Sequence, residues 1–243
     1  MNYKLVLEQQ LAIDYNCTLE EVQGNENIIK PMKRNVGARP IGEDDCMFKA
    51  VCYGGKLLIM ADEKILDWCR EKLLRRDAAW VSEPQVLCGI NEKLREFGHC
   101  LADVHHYYLP VGESEIEERF PIKCFEGDEI MQFEEDERFG EALLFEEDTP
   151  DMIAVCAMEG EEILGMAGAT ADSEDMWQLG VNVTEAGKGK GVGTYVVSVL
   201  KNKVLEKGKV PFYGTVESHI KSQKVAIQAG FIPVFLEMFS EKY

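Results

Sequence analysis

The segment Val181-Asn182-Val183-Thr184-Glu185-Ala186-Gly187-Lys188-Gly189-Lys190-Gly191-Val192-Gly193-Thr194 constrains this chain more than any other. The run Met176–Val183 before it has the composition of a strand. The apolar residues Val196, Val197, Leu200 and Val204 after it recur at helical spacing. Glycine at every second position between them marks a strand that turns directly into a helix. Glycines admit positive φ and let a ligand come close to the backbone. The first turn of a helix offers N–H groups without partners at the positive end of its dipole. Lys188 and Lys190 add cationic charge there, so the segment predicts a phosphate or pyrophosphate site. The Walker pattern needs Gly-Lys followed by Ser or Thr, and here both Gly-Lys pairs are followed by Gly. The Rossmann spacing also fails, because its third glycine falls on Val196 or Thr194. The plain alternative is a glycine-rich turn that only lets strand and helix pack.

The rest of the chain reads as mixed α/β. A helix is expected at 2–14, a capping box at Thr18-Leu19-Glu20-Glu21, and a loop over 31–46. Met47–Tyr53 and Leu57–Met60 form a hairpin across Gly54-Gly55. Asp62 caps a helix with the face Ile65, Leu66, Cys69, Leu73 and Leu74. A second helix, opened by Ser82 and Pro84, closes at Gly98, and 100–109 is a strand. Phe125, Ile130, Met131, Phe133 and Phe139 predict one or two amphipathic helices. Met152–Met158 and Ile163–Ala169 form a second hairpin, Gly191–Lys207 a helix, Pro211–Val216 a strand, Ser218–Ala229 a helix and Ile232–Phe239 a last strand. Two parts are expected: an N-terminal α+β region, 1–110, and a second domain, 111–243, whose motif-bearing core is 152–243.

Charge bounds the partners. The chain holds 26 Lys+Arg against 44 Asp+Glu, a net of -18, which opposes nucleic acid and anionic membranes as partners. The excess is local. Residues 112–151 carry 3 basic and 16 acidic groups, a net of -13, whereas 176–243 run at +4 with 9 Lys and 5 Glu. An anionic ligand at the glycine turn is therefore permitted, and the acidic strip would attract a cationic amine. The strip's plain reading is a solvated face. Eight cysteines without metal-site spacing read as buried free thiols in a reducing cytosol, with no metal. No signal peptide and no membrane span is visible, so a cytoplasmic monomer or homodimer is expected.

The run Lys188-Gly189-Lys190-Gly191-Val192-Gly193 resembles the Q/R-x-x-G-x-G/A motif of the GCN5-related N-acetyltransferase (GNAT) family, with Lys in place of Gln or Arg. His219-Ile220-Lys221-Ser222, followed by Ala229-Gly230-Phe231, resembles its second signature, N-x-x-S then G-F. The resemblance covers roughly 126–243 and leaves 1–110 unexplained. It implies a central mixed sheet flanked by helices, and an acetyl-CoA co-substrate. Backbone groups of Val181, Asn182 and Val183 would pair with the pantetheine arm like an added strand. The N–H groups of Gly189, Lys190, Gly191, Val192, Gly193 and Thr194, with Lys188 beside them, would hold the pyrophosphate, and Ser222 would lie near the arm. The thioester would sit where 176–183 and 211–216 splay apart, with a backbone N–H near Val181 polarising its carbonyl. A small amine, amino acid or peptide N-terminus would attack directly. Two positions depart from the family: His219 stands where Asn is usual, and Ala226 where many members have a tyrosine acid.

An amine must lose a proton to attack, so an acid and a base are sought near the splay. Asp175 shares a strand face with Trp177, Leu179 and Val181, against a plainer role as a turn residue. Glu217 ends the 211–216 strand, against a plainer role at a helix N-terminus. Tyr213 is the candidate acid, against a core tyrosine. The competing function is a non-catalytic acyl-CoA-binding or regulatory module. A third reading is a phosphate-binding turn on an unrelated scaffold.

Overall fold

The structure is a computed structural model and describes residues 1–41 and 45–243. The expected loop at 31–46 thus falls partly outside the described residues. The chain divides into two compact units: 2–107 with 234–243, and 108–233 with Met1. This differs from a boundary at 110, because the last residues return to the N-terminal unit.

The N-terminal unit begins with α1 (Tyr3–Asp14), capped by Asn2, and α2 (Leu19–Gln23), where the Thr18/Glu21 capping box is complete. Just before the segment expected as loop, and sharing only Pro31 with it, β1 (Ile28–Pro31) pairs in parallel with β3 (Lys56–Ala61), and β3 forms the expected hairpin with β2 (Phe48–Tyr53). Gly54 and Gly55 turn the hairpin at φ 57° and 80°, which side chains resist. Asp62 caps α3 (Glu63–Leu73). For α4 (Pro84–Arg95) the cap is Glu83 rather than Ser82, with Pro at the first helical position and no side-chain cap bond. Ile65, Leu66, Cys69 and Leu73 pack with Val86, Ile90 and Leu94 over the buried hairpin. The strand β4 (His99–Pro110) follows.

The second unit holds β5 (Ile122–Glu126), β6 (Asp151–Glu159), β7 (Glu162–Ala171), β8 (Met176–Val183), α5 (Val192–Glu206), β9 (Val210–Val216) and α6 (Ile220–Gln228). Strands β5 to β8 are antiparallel neighbours and β9 lies parallel to β8. Period two shows in β6. Ile153, Val155 and Ala157 join α5 residues Val196, Val197 and Leu200 on one face. Ala154, Cys156 and Met158 join Ile130, Phe133 and Phe139 on the other. The acidic strip therefore covers one sheet face with its apolar residues, as 3-10 turns (Gly127–Phe133, Glu137–Phe139) and not as the expected amphipathic α-helices. Phe133 makes edge contacts with both Phe125 and Phe139, at 5.0 and 6.1 Å between ring centres.

The strand β10 (Phe231–Lys242) carries the chain back, and Phe235–Phe239 pair antiparallel with β2. There Glu237 completes a buried ionic group. Arg39 donates from Nε to Asp14 and from Nη2 to Glu237, each at 2.7 Å, and Tyr15 donates to Glu237 at 3.1 Å. All eight cysteines are free thiols. Burial pushes Cys69 and Cys156 up to about 12, which leaves them unreactive, while Cys88 is exposed, against the expectation of burial. Among the described residues no helix is long and apolar enough to cross a membrane.

Lys201 is an unexpected core residue. It is fully buried in α5, and its Nζ donates to Ser114 Oγ at 2.6 Å and to the Ala229 carbonyl at 2.8 Å, just past α6. Burial lowers its pKa. The folded protein thus holds this proton less tightly than the unfolded chain. Its contribution to stability rises as pH climbs from the folded value toward that of a free lysine. Lys201→Ala should cost about 2–4 kcal/mol, because it opens a cavity and strands the Ala229 carbonyl. Lys201→Met should flatten the alkaline rise. Urea unfolding at several pH values checks both.

Candidate active site

The glycine turn has the geometry of an open anion site. Strand β8 ends at Val183, a single 3-10 turn follows at Glu185–Gly187, and α5 starts at Val192. Its N-cap, Gly191, is left-handed at φ 77° and gives the helix no side-chain cap, so no cap side chain occupies the first-turn N–H groups. Gly189 is also left-handed, at φ 75°, in open space. Gly187 and Gly193 serve packing instead. A Cβ on Gly187 would lie 2.1 Å from the Leu164 carbonyl, and one on Gly193 would lie 3.2 Å from Val183.

Three cations surround the turn. Lys188 pairs with Glu185, and Lys190 with Glu159 at 3.4 Å. Both pairs are exposed and so weak enough to yield to a better anion. The third is Arg119, which pairs with Glu117 at 3.6 Å in another exposed contact and whose Nη1 lies 3.9 Å from the Cβ position of Gly191. A guanidinium beside a helix N-terminus opposes the dipole, and an anion between them would relieve that opposition. Arg119 comes from the acidic strip, where charge counting gave no reason to single it out.

Beside the turn the sheet opens. Residues Met176 to Leu179 of β8 pair with Val210 to Tyr213 of β9, and the pairing stops at Leu179 and Tyr213. The rest of β8, Gly180 to Val183, keeps its partners on β7. The expected splay is therefore present at the end of β8 nearest the glycine turn. Val181 and Val183 face the α5 side and pack on its core. The Asn182 side chain faces the other way and accepts from the Glu141 and Ala142 N–H groups at 2.9 and 2.8 Å.

Tyr213 lies at the mouth of this opening, 3% exposed, with its hydroxyl 2.9 Å from Ser222 Oγ in the first turn of α6. Burial pushes its phenol up. The Ser222 hydrogen bond pulls it down, and the Glu141 and Tyr108 charges push it up again. The net direction is upward, so Tyr213 keeps its proton at neutral pH. The structure thus brings Tyr213 and Ser222 together. It does not bring Asp175 to them. Asp175 precedes the closed, paired end of β8, where its carboxylate meets Lys209 at 3.3 Å and its carbonyl accepts from Val210. Glu217 is exposed in the turn after β9, and its carbonyl accepts from Gln223. Thr194 Oγ1 donates to Gln228 at 3.2 Å. Ala226 is fully buried, with no polar group to offer. Trp177 is buried in the core.

The acetyltransferase (GNAT) family model matches residues 115–231, the stretch that holds the turn, the opening and the Tyr213–Ser222 pair. Residues 115–231 form a GNAT domain. The GNAT likeness extends to solved structures. A GCN5-related N-acetyltransferase-like protein from Streptococcus suis 89/1591 is 13% identical, with a TM-score of 0.50, over 80% of this chain and 84% of that one. A GNAT-family acetyltransferase from Colwellia psychrerythraea is 13% identical, with a TM-score of 0.45, over 77% of this chain and 78% of that one. The yncA protein from Salmonella typhimurium, solved with its cofactor acetyl-CoA, is 15% identical, with a TM-score of 0.36, over 50% of this chain and 93% of that one. At such identities the Streptococcus suis structure speaks for the fold: a mixed α/β sheet flanked by helices. No curated protein sequence matches the chain significantly.

Proposed function

We propose that the GNAT domain binds acetyl-CoA along the open end of β8 and transfers the acetyl group to an amine in a ternary complex, without a covalent enzyme intermediate. One observation carries this reading: β8 leaves β9 after Leu179, and an uncapped helix N-terminus follows directly. A ligand that used both features would be extended and carry a phosphate. The backbone of Val181, Asn182 and Val183 lines its arm. The N–H groups of Gly189 and of Gly191 to Thr194, with the side chains of Lys188, Lys190 and Arg119, meet the pyrophosphate, whereas the Lys190 N–H is already given to the Gly187 carbonyl at 3.3 Å. A backbone N–H near Val181 stabilises the oxyanion of the tetrahedral adduct. Tyr213, protonated and hydrogen-bonded to Ser222, is the donor to the departing thiolate. It takes the part that Ala226 cannot play.

The competing reading is an acyl-CoA-binding module without turnover, and the apolar Ala226 favours it. Titration with acetyl-CoA, followed by free-thiol release with a panel of primary amines, separates the two. Binding with turnover supports the enzyme, and binding without thiol release supports the module. Tyr213→Phe should lower kcat about tenfold to a hundredfold with little change in acetyl-CoA affinity. An unchanged kcat would leave the thiolate to water.

A further inference from the structure

Two mid-strand glycines and one asparagine build a seat for a segment of the acidic strip. A Cβ on Gly180 of β8 would stand 1.7 Å from the Glu141 carbonyl oxygen, and one on Gly168 of β7 would stand 1.9 Å from that of Ala142. Neither position tolerates any side chain while peptide 141–142 lies there. Asn182 Oδ1 then accepts both the Glu141 and Ala142 N–H groups. Glycine inside a strand costs about 0.5–1 kcal/mol relative to alanine. Two of them opposite one dipeptide indicate that its close approach has a use beyond covering the sheet.

The seat lies where the chemistry would be. Gly180 is the first residue of β8 beyond its last pair with β9. On β8, Gly180 and Asn182 face the acidic strip, whereas Leu179 and its partner Tyr213 belong to the α5 core on the opposite face. A thioester in the opening would therefore have the phenol of Tyr213 on one side and Glu141, whose side chain is exposed, on the other. Acyl transfer needs this division: a proton acceptor on the nucleophile's side and a donor on the leaving group's side.

We propose that Glu141 is the acceptor-side catalytic residue, pairing with the ammonium of a cationic primary amine and taking its proton. This rests on the acetyltransferase reading above. The first proton passes from the ammonium to the Glu141 carboxylate and on to water. The nitrogen lone pair then forms the C–N bond, and the carbonyl becomes a tetrahedral oxyanion. As the C–S bond breaks, the second nitrogen proton is lost and the sulfur gains one through Tyr213. The products are the amide, the free thiol of coenzyme A and one proton released to solvent. The strip's remaining negative charge draws the cation in from a distance.

The test compares the full-length protein with Glu141→Gln and Glu141→Asp, with acetyl-CoA and two acceptors, read as free thiol. Ethylamine is protonated at neutral pH, and 2,2,2-trifluoroethylamine is not. Glu141→Gln should lose about a hundredfold in kcat/KM with ethylamine. With the unprotonated amine it should lose less than about threefold, a margin small beside the base contribution. Acetyl-CoA affinity should stay unchanged, and Glu141→Asp should recover part of the loss. Equal losses on both amines would mean that Glu141 only shapes the loop, and no loss would mean that it plays no part; either overturns the proposal. A wild type that binds acetyl-CoA but acetylates neither these amines nor larger ones overturns the acetyltransferase reading, and this inference falls with it.

Discussion

Gly191→Asp is expected to weaken acetyl-CoA binding by about a hundredfold, about 2.7 kcal/mol, while the protein stays folded. A side chain at 191 enters open space, with the Arg119 guanidinium as its nearest neighbour at 3.9 Å from Cβ. The new carboxylate would lie among the first-turn N–H groups of α5 and beside Arg119. It would act as an internal anion where the pyrophosphate is proposed to bind. The left-handed backbone costs a residue with a Cβ about 1–2 kcal/mol, and aspartate tolerates it better than most. Its attraction to the helix dipole and Arg119 offsets part of that. Calorimetric titration and a thermal melt check the two halves. Gly191→Ala is the control, because it carries the backbone cost without the charge. A Gly191→Asp protein that melts normally and binds acetyl-CoA like the wild type would show that the anion sits elsewhere.

The largest loss of stability is expected in the other unit. Arg39→Ala should cost about 3–5 kcal/mol, because it leaves Asp14 and Glu237 buried as uncompensated charges. Desolvation works against the Arg39 charge, but Asp14 and Glu237 more than reverse it, holding its pKa well above the usual arginine value. Desolvation and the Asp14 charge raise the Glu237 pKa, and Arg39, with help from the Tyr15 hydrogen bond, pulls it part of the way back. Without Arg39, the folded pKa of Glu237 should rise further above its unfolded value. Between those two values the folded state binds more protons than the unfolded chain, so stability falls as pH rises. The variant should therefore be weakest at neutral pH and regain stability as pH falls through the folded value of Glu237. Urea unfolding from pH 7 downward reads this directly. Arg39→Lys should rescue little, since one ammonium cannot reproduce the fork that reaches both carboxylates.

The strand–turn–helix unit was legible because each part of it is local. Met176–Val183 has its own period, Gly191 needs its own φ, and Val196 to Val204 mark their own face. The acidic strip is not legible in this way, for the opposite reason. Ile130, Phe133 and Phe139 are spaced as on a helix, but their burial comes from the far strands β5 and β6, and many neighbouring like charges disfavour a regular helix. Asp175, expected on the face of Trp177, Leu179 and Val181, stands just before β8, at its closed end. Face follows from period two, whereas the open end follows from the register with β9, 34 residues away between Leu179 and Tyr213. Arg119 and Glu141 stand 72 and 39 residues before Gly191 and Gly180, and only the fold brings them there. In the sequence the traces of Glu141's seat are three mid-strand residues that strands disfavour, Gly168, Gly180 and Asn182.

The return of β10 to β2 has a consequence for how the molecule is made. Residues 2–107 leave the ribosome before 108–233, yet β2 lacks its neighbour and Arg39 lacks one of its carboxylates until Phe235–Phe239 have been synthesised. The unit begun earlier is thus completed after the later one, and the edge of β2 must wait through the synthesis of the whole GNAT domain. A nascent chain with such an edge is the kind of client that chaperones hold.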